Sequence, residues 1–182
     1  MESFLLKGEV DIDDVQRLYN GLYLEVFTAF EGLLEDLFWG LLLEQLVPVS
    51  SDISLKIASG TGSTVREIML MGRHFLDWLP YADNTLKRAN ICFRDGRPFS
   101  CLSTQEQHNL ARYHRIRNAI AHQSDYAQAK FCDEVIGSSM VTPREKTPSG
   151  YLRGVFRSHP VQQRRYEAIV DELKVNARKL CQ

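Results

Sequence analysis

The sequence predicts an all-α protein, and three observations carry that reading. Apolar residues recur at helical spacing through most of the chain, capping signals stand in front of those runs, and Pro, Gly and Ser mark their ends. A chain of 182 residues fits one domain with a core of its own. No repeat or linker divides it, so residues 1–182 read as a single helical bundle.

Asp11 or Asp13 caps a long first helix that continues to about Leu46, where Pro48 stops it. Its apolar row is Val15, Leu18, Leu22, Val26, Phe30, Leu33, Leu37 and Leu41, with Phe38 and Trp39 off the main line. That row is long enough to serve both a core and a second copy of the chain. Residues 49–62, rich in Ser and Gly, form a connection with a short extended piece at Ile53 to Ile57. Gly60-Thr61-Gly62-Ser63 lacks the spacing and the lysine of a phosphate loop, and reads as loop plus cap. Thr64 and Glu67 make a capping box for a helix through Ile68, Met71, Phe75 and Leu79 to Pro80.

Asp83 or Asn84 starts a short helix to about Phe93, and Arg94-Asp95-Gly96-Arg97-Pro98 is a turn. Ser103 and Glu106 form a second capping box, opening a helix of about five turns that ends near His122. Asp125 starts the next helix, through Ala129, Phe131 and Val135 to Gly137. Gly137 to Pro160 is an irregular basic loop, with a hairpin expected around Pro148-Ser149-Gly150. Val161 to Leu180 is the last helix.

The net charge of −1 hides a division. Residues 1–91 carry 7 Lys and Arg against 14 Asp and Glu, whereas residues 92–182 carry 15 against 9. A basic half suits a polyanionic ligand, although opposite halves can equally pack on each other. Cys92, Cys101, Cys132 and Cys181 form no Cys-x-x-Cys pair and have no His at metal-ligand spacing, so they read as free thiols of a reducing, cytoplasmic protein. No secretory signal and no membrane-spanning run is evident. The most apolar stretch, Leu33 to Val49, is interrupted by Glu35, Asp36, Glu44, Gln45 and Pro48.

The chemistry concentrates at the end of the Ser103 helix. Leu110, Tyr113, Ile116, Ile120 and Ala121 fall on one arc, and Arg117 projects from within it. A charge there needs a partner or a wet gap. Asn118 and His122, four apart, are neighbours on a more polar face. Arg112, His114 and Arg115 share the helix, and Arg153 and Arg157 lie in the basic loop with Tyr151 and Phe156 interleaved, as in surfaces that stack bases and track phosphates. The plainer reading is a snorkelling arginine, a capping histidine and a solvated loop.

Arg117-Asn118-Ala119-Ile120-Ala121-His122 resembles the Arg-polar-three-His motif of the HEPN domain superfamily position for position. The segment Phe30-Glu31-Gly32-Leu33-Leu34-Glu35-Asp36-Leu37 is similar to the usual first HEPN helix, and the resemblance covers roughly residues 10–180. It implies a helical bundle acting as an endoribonuclease, with Arg117, Asn118 and His122 catalytic. It also implies a homodimer in which two motif helices build one composite site, in a toxin–antitoxin or anti-phage defence setting with an antitoxin or defence protein as partner. HEPN toxins paired with nucleotidyltransferases carry a Tyr two residues after the His; Ser124 stands there, and the chain is more similar to the HEPN group associated with L-PSP-type endoribonucleases.

The residue types suit that chemistry. Histidine titrates near neutrality and can move the protons of RNA cleavage through the 2′-hydroxyl, giving 2′,3′-cyclic phosphate and 5′-hydroxyl ends. Arginine stays charged and offers a fork to phosphate oxygens. No carboxylate cluster accompanies them, so neither a divalent metal nor a cofactor is demanded. Arg112, His114, Arg115, Arg153 and Arg157 would line the RNA path. The competing expectation is a non-catalytic helical module that binds RNA or a partner protein.

Overall fold

The computed structural model describes residues 4–5, 7–46, 48, 52–56, 62–122, 124–156 and 162–182. Among them are seven α-helices and no β-strand beyond isolated bridges: α1 (Ile12–Leu42), α2 (Gly62–Leu70), α3 (Lys87–Cys92), α4 (Thr104–His122), α5 (Asp125–Phe131), α6 (Pro148–Arg153) and α7 (Arg165–Leu180). The fold is all-α. Two compact units divide the chain, Met1–Ala29 with Arg112–Lys174, and Phe30–Ala111 with Val175–Gln182. Among the described residues no helix is long and apolar enough to cross a membrane.

In the first unit, Asp11 Oδ1 accepts the amide of Asp13 at 2.9 Å and starts α1. Val15, Tyr23 and Phe27 are buried, whereas Leu22 is exposed and Leu18 and Val26 are half-buried. The core of this unit therefore takes Val15 from the row read from the sequence, and Tyr23 and Phe27 from the aromatic row beside it. Tyr23 donates to the Tyr113 carbonyl at 2.8 Å, and Tyr113 donates to Glu172 Oε2 at 2.5 Å. Burial, more than any neighbour, raises both phenols well above their ordinary range and keeps them protonated donors.

Ser124 caps α5, accepting the Ala127 amide at 3.2 Å, and the helix widens into a π-type turn at Cys132–Ile136 before Gly137 ends it at φ +50°. The expected hairpin at Pro148-Ser149-Gly150 is overturned: these residues open α6, with Thr147 accepting the Gly150 amide and proline at the first position. The antiparallel pairing lies further on, where Val155 bridges Arg164 and the Phe156 amide donates to the Gln163 carbonyl at 3.2 Å. That pairing also delays α7 to Arg165, past its expected start at Val161.

In the second unit, Phe38 is the hub. It meets Trp78 at 5.0 Å, Phe93 at 5.4 Å, Phe99 at 5.7 Å and Trp39 at 5.9 Å between ring centroids. Helix α1 stops at Leu42, earlier than Pro48 requires, because Glu44 turns to φ +55° and the amides of Gln45 and Leu46 return to the Gly40 carbonyl. Leu46 then lies over Gly40, where an added Cβ would collide with its Cδ1. Helix α2 also ends early: Met71 and Gly72 take φ +48° and +79°, so Phe75 and Leu79 are not helical. The extended piece at 53–56 pairs with Phe93 through Leu55, while Ile57 to Thr61 lie outside the described residues.

The Ser103 capping box forms as the sequence indicates, with the Ser103 amide donating to Glu106 Oε2 at 2.8 Å and the Glu106 amide to Ser103 Oγ at 3.3 Å. On α7, Asn176 is wholly buried and neither amide atom has a hydrogen-bond partner among the described residues. Replacing it by the similarly sized Leu is expected to stabilise the protein by about 1–2 kcal/mol. A higher midpoint in urea or heat checks this; a lower one would mean that the amide serves a partner beyond those residues.

Candidate active site

Helix α4 supplies the motif, and one contact and the start of the next helix define its end. Gln128 Nε2 donates to the Ala119 carbonyl at 2.9 Å, satisfying one of the last-turn acceptors, and Ser124 starts α5 two residues after His122. Between the two helices lies a groove of about 310 Å³. Arg115, Asn118 and His122 line it from α4; Ser124, Tyr126, Ala127 and Lys130 line it from the other side. His122 is exposed, and Tyr126 stands 70% exposed at the rim.

Asn118 connects the motif. Its Oδ1 accepts from Arg117 Nη1 at 3.2 Å, and its Nδ2 lies 3.3 Å from Nε2 of His114. The imidazole against the Asn118 amide is thus His114, one turn back, rather than the His122 that sequence spacing equally allows. His114 is half-buried and stacks on Phe27, 6.3 Å between centroids with ring planes 13° apart. Arg117 is half-buried as well. Arg117 and His122 stand five positions apart, so the two side chains leave α4 about 140° from each other. Asn118 is the residue that touches the one and shares the groove with the other.

The groove's cations are held by a carboxylate. Glu134 pairs with Arg115 Nε at 2.7 Å and with Lys130 Nζ at 3.0 Å. Burial alone would raise the Glu134 carboxyl, but these two hydrogen-bonded cations outweigh it and hold it below its ordinary range. Arg112 is committed elsewhere, Nη2 donating to the Val135 carbonyl at 3.0 Å. Arg153 ends α6 in a different concavity, and Arg157 lies outside the described residues. Sequence spacing brings Arg115, Asn118 and His122 to one face. It misses Ser124, Tyr126 and Lys130, although the i,i+4 pair Lys130–Glu134 is a readable signal.

Comparison of the chain with protein-family models, characterised proteins and solved structures finds no match.

Proposed function

We propose that the protein is a metal-independent endoribonuclease of HEPN type, a cytoplasmic homodimer acting in toxin–antitoxin or anti-phage defence. The observation that carries this reading is the Asn118 side chain, bonded to the Arg117 guanidinium and facing the same groove as the exposed His122. The RNA 2′-oxygen attacks the adjacent phosphorus while its proton passes to one imidazole. The bond from phosphorus to the 5′-oxygen breaks, and that oxygen takes a proton from a second imidazole. Arg117 neutralises the charge that gathers on the non-bridging oxygens in the transition state. Among the described residues one chain brings a single histidine to the groove, and Arg117 and His122 diverge on their helix. A two-fold pairing of motif helices supplies the second His122 and lets an Arg117 of one copy meet the phosphate at the His122 of the other. The half-buried Leu18 and Val26 and the exposed Leu22 on α1 offer apolar area for such a pairing.

The test is RNA cleavage by the purified chain in EDTA, beside the same oligonucleotide carrying 2′-deoxy sugars. Cleavage of the first alone, leaving cyclic phosphate ends, is the expected result; cleavage of both, or loss of activity in EDTA, overturns the mechanism. A second reading, a non-catalytic RNA- or protein-binding module, is favoured by Glu134 occupying both Arg115 and Lys130. It predicts binding without any cleavage.

A further inference from the structure

A larger concavity in the same unit, about 820 Å³, is walled by segments far apart in sequence. Leu5 and Ile12 give it an apolar side. The turn Pro143–Lys146 brings Arg144, α6 brings Arg153, and the residues that pair before α7 bring Arg164. We propose that this concavity is a phosphate-tracking subsite for single-stranded RNA, in which Arg144, Arg153 and Arg164 hold the strand beyond the cleavage groove. The proposal rests on the reading of the protein as one that acts on RNA.

Its charge is the first argument. Three guanidiniums and one carboxylate, Glu145, stand in the described lining, which is therefore positive on balance. Glu145 is turned to its own loop and to Arg165. Its Oε1 accepts from Arg165 at 2.8 Å, and Oε2 accepts from the amide and hydroxyl of Thr142, each at 2.8 Å. A surface of that sign suits a polyanion. Its construction is the second argument. A Cβ on Gly150 would collide with the Arg144 carbonyl oxygen, so the glycine is what lets the Arg144 turn lie against α6. Arg164 Nη1 donates to the Arg153 carbonyl at 2.7 Å, which fixes one guanidinium in place before any ligand arrives. The third is the mixture of surfaces: planar guanidiniums beside Leu5 and Ile12 suit phosphates with sugar and base alongside, more than a purely acidic peptide. The two concavities are built on packed helices: α5, which supplies Tyr126 and Lys130 to the groove, ends at Phe131, edge-on to Tyr151 of α6 with 6.0 Å between centroids.

The experiment uses the full chain carrying His122→Ala, so binding is read without cleavage, with 4- and 12-nucleotide single-stranded RNAs across a salt series. The 12-mer is expected to bind with the steeper dependence on salt. Arg144→Gln with Arg153→Gln should reduce that slope by about 1.4, at roughly 0.7 for each phosphate no longer neutralised, and leave the 4-mer unchanged. The lysine versions of both substitutions should keep the slope. Should the double variant unfold, the exposed Arg144→Gln alone should lower the slope by about 0.7. Equal slopes in parent and variant overturn the proposal, as does competition by polyglutamate as strong as by RNA of equal charge. Cleavage by the unsubstituted protein is scored separately: length-dependent binding without cleavage removes the nuclease reading and leaves this subsite standing.

Discussion

His122→Ala is expected to lower the rate of RNA cleavage by about 10²–10⁴-fold, the usual loss when a positioned proton-transfer group is removed. The fold should be unaffected, because His122 is exposed at the last position of α4. Asn118→Leu separates the two jobs on that helix. It leaves both His122 and Arg117 in place but removes the amide that accepts from the guanidinium at 3.2 Å. If Asn118 positions Arg117, kcat should fall with little change in KM. Mixing parent chains with an excess of His122→Ala chains gives the complementary measurement. A composite site that needs both imidazoles would lose activity per parent chain in the mixture, whereas independent sites would keep it.

The largest structural effect is expected at Arg165. Its side chain is 8% exposed, pairs with Glu145 at 2.8 Å and lies over the Tyr151 ring at 4.6 Å from the centroid. Arg165→Met removes one partner and strands a carboxylate of 12% exposure, a change that costs about 3–5 kcal/mol. That is a large share of the roughly 5–15 kcal/mol that holds an ordinary domain together, and a urea titration reads it directly. Adding Glu145→Gln to Arg165→Met should recover much of the loss by removing the stranded charge; no recovery would place the cost in packing instead.

The same pair sets a pH dependence. Burial alone would raise the Glu145 carboxyl, but hydrogen bonds from Thr142 and the Arg165 guanidinium hold it below its ordinary 4.5. A depressed carboxyl contributes fully above 4.5, and the contribution is lost as the pH falls through its lower folded value. Glu145→Gln is therefore expected to flatten the acid limb of stability against pH, with parent and variant converging at low pH.

Capping chemistry makes α4 legible in the sequence. Ser103 and Glu106 announce its start, and their reciprocal hydrogen bonds form. Periodicity alone does not say which side of α1 faces inward. The rows 18, 22, 26 and 23, 27, 34, 38 both repeat at helical spacing, and the aromatic one wins by filling more volume. At α2 the strong pattern of Phe75 and Leu79 outweighs one stop signal, Gly72, yet backbone conformation at Met71 and Gly72 decides the matter. Thr147-Pro148-Ser149-Gly150 illustrates a genuine degeneracy, since the residues that make a turn also cap and open a helix. Asn118 poses the same difficulty within the site. Histidines stand four residues before it and four after, and only the observed rotamer selects His114.

That selection has an electronic consequence. Arginine can only donate hydrogen bonds, so the oxygen of the Asn118 amide faces Arg117, and its NH2 then faces His114. The imidazole atom met there, Nε2, is left with its lone pair as the only useful offer, which confines the mobile hydrogen of the neutral ring to Nδ1. One guanidinium thus dictates the tautomer of a nearby ring, with a neutral amide relaying the polarity between them.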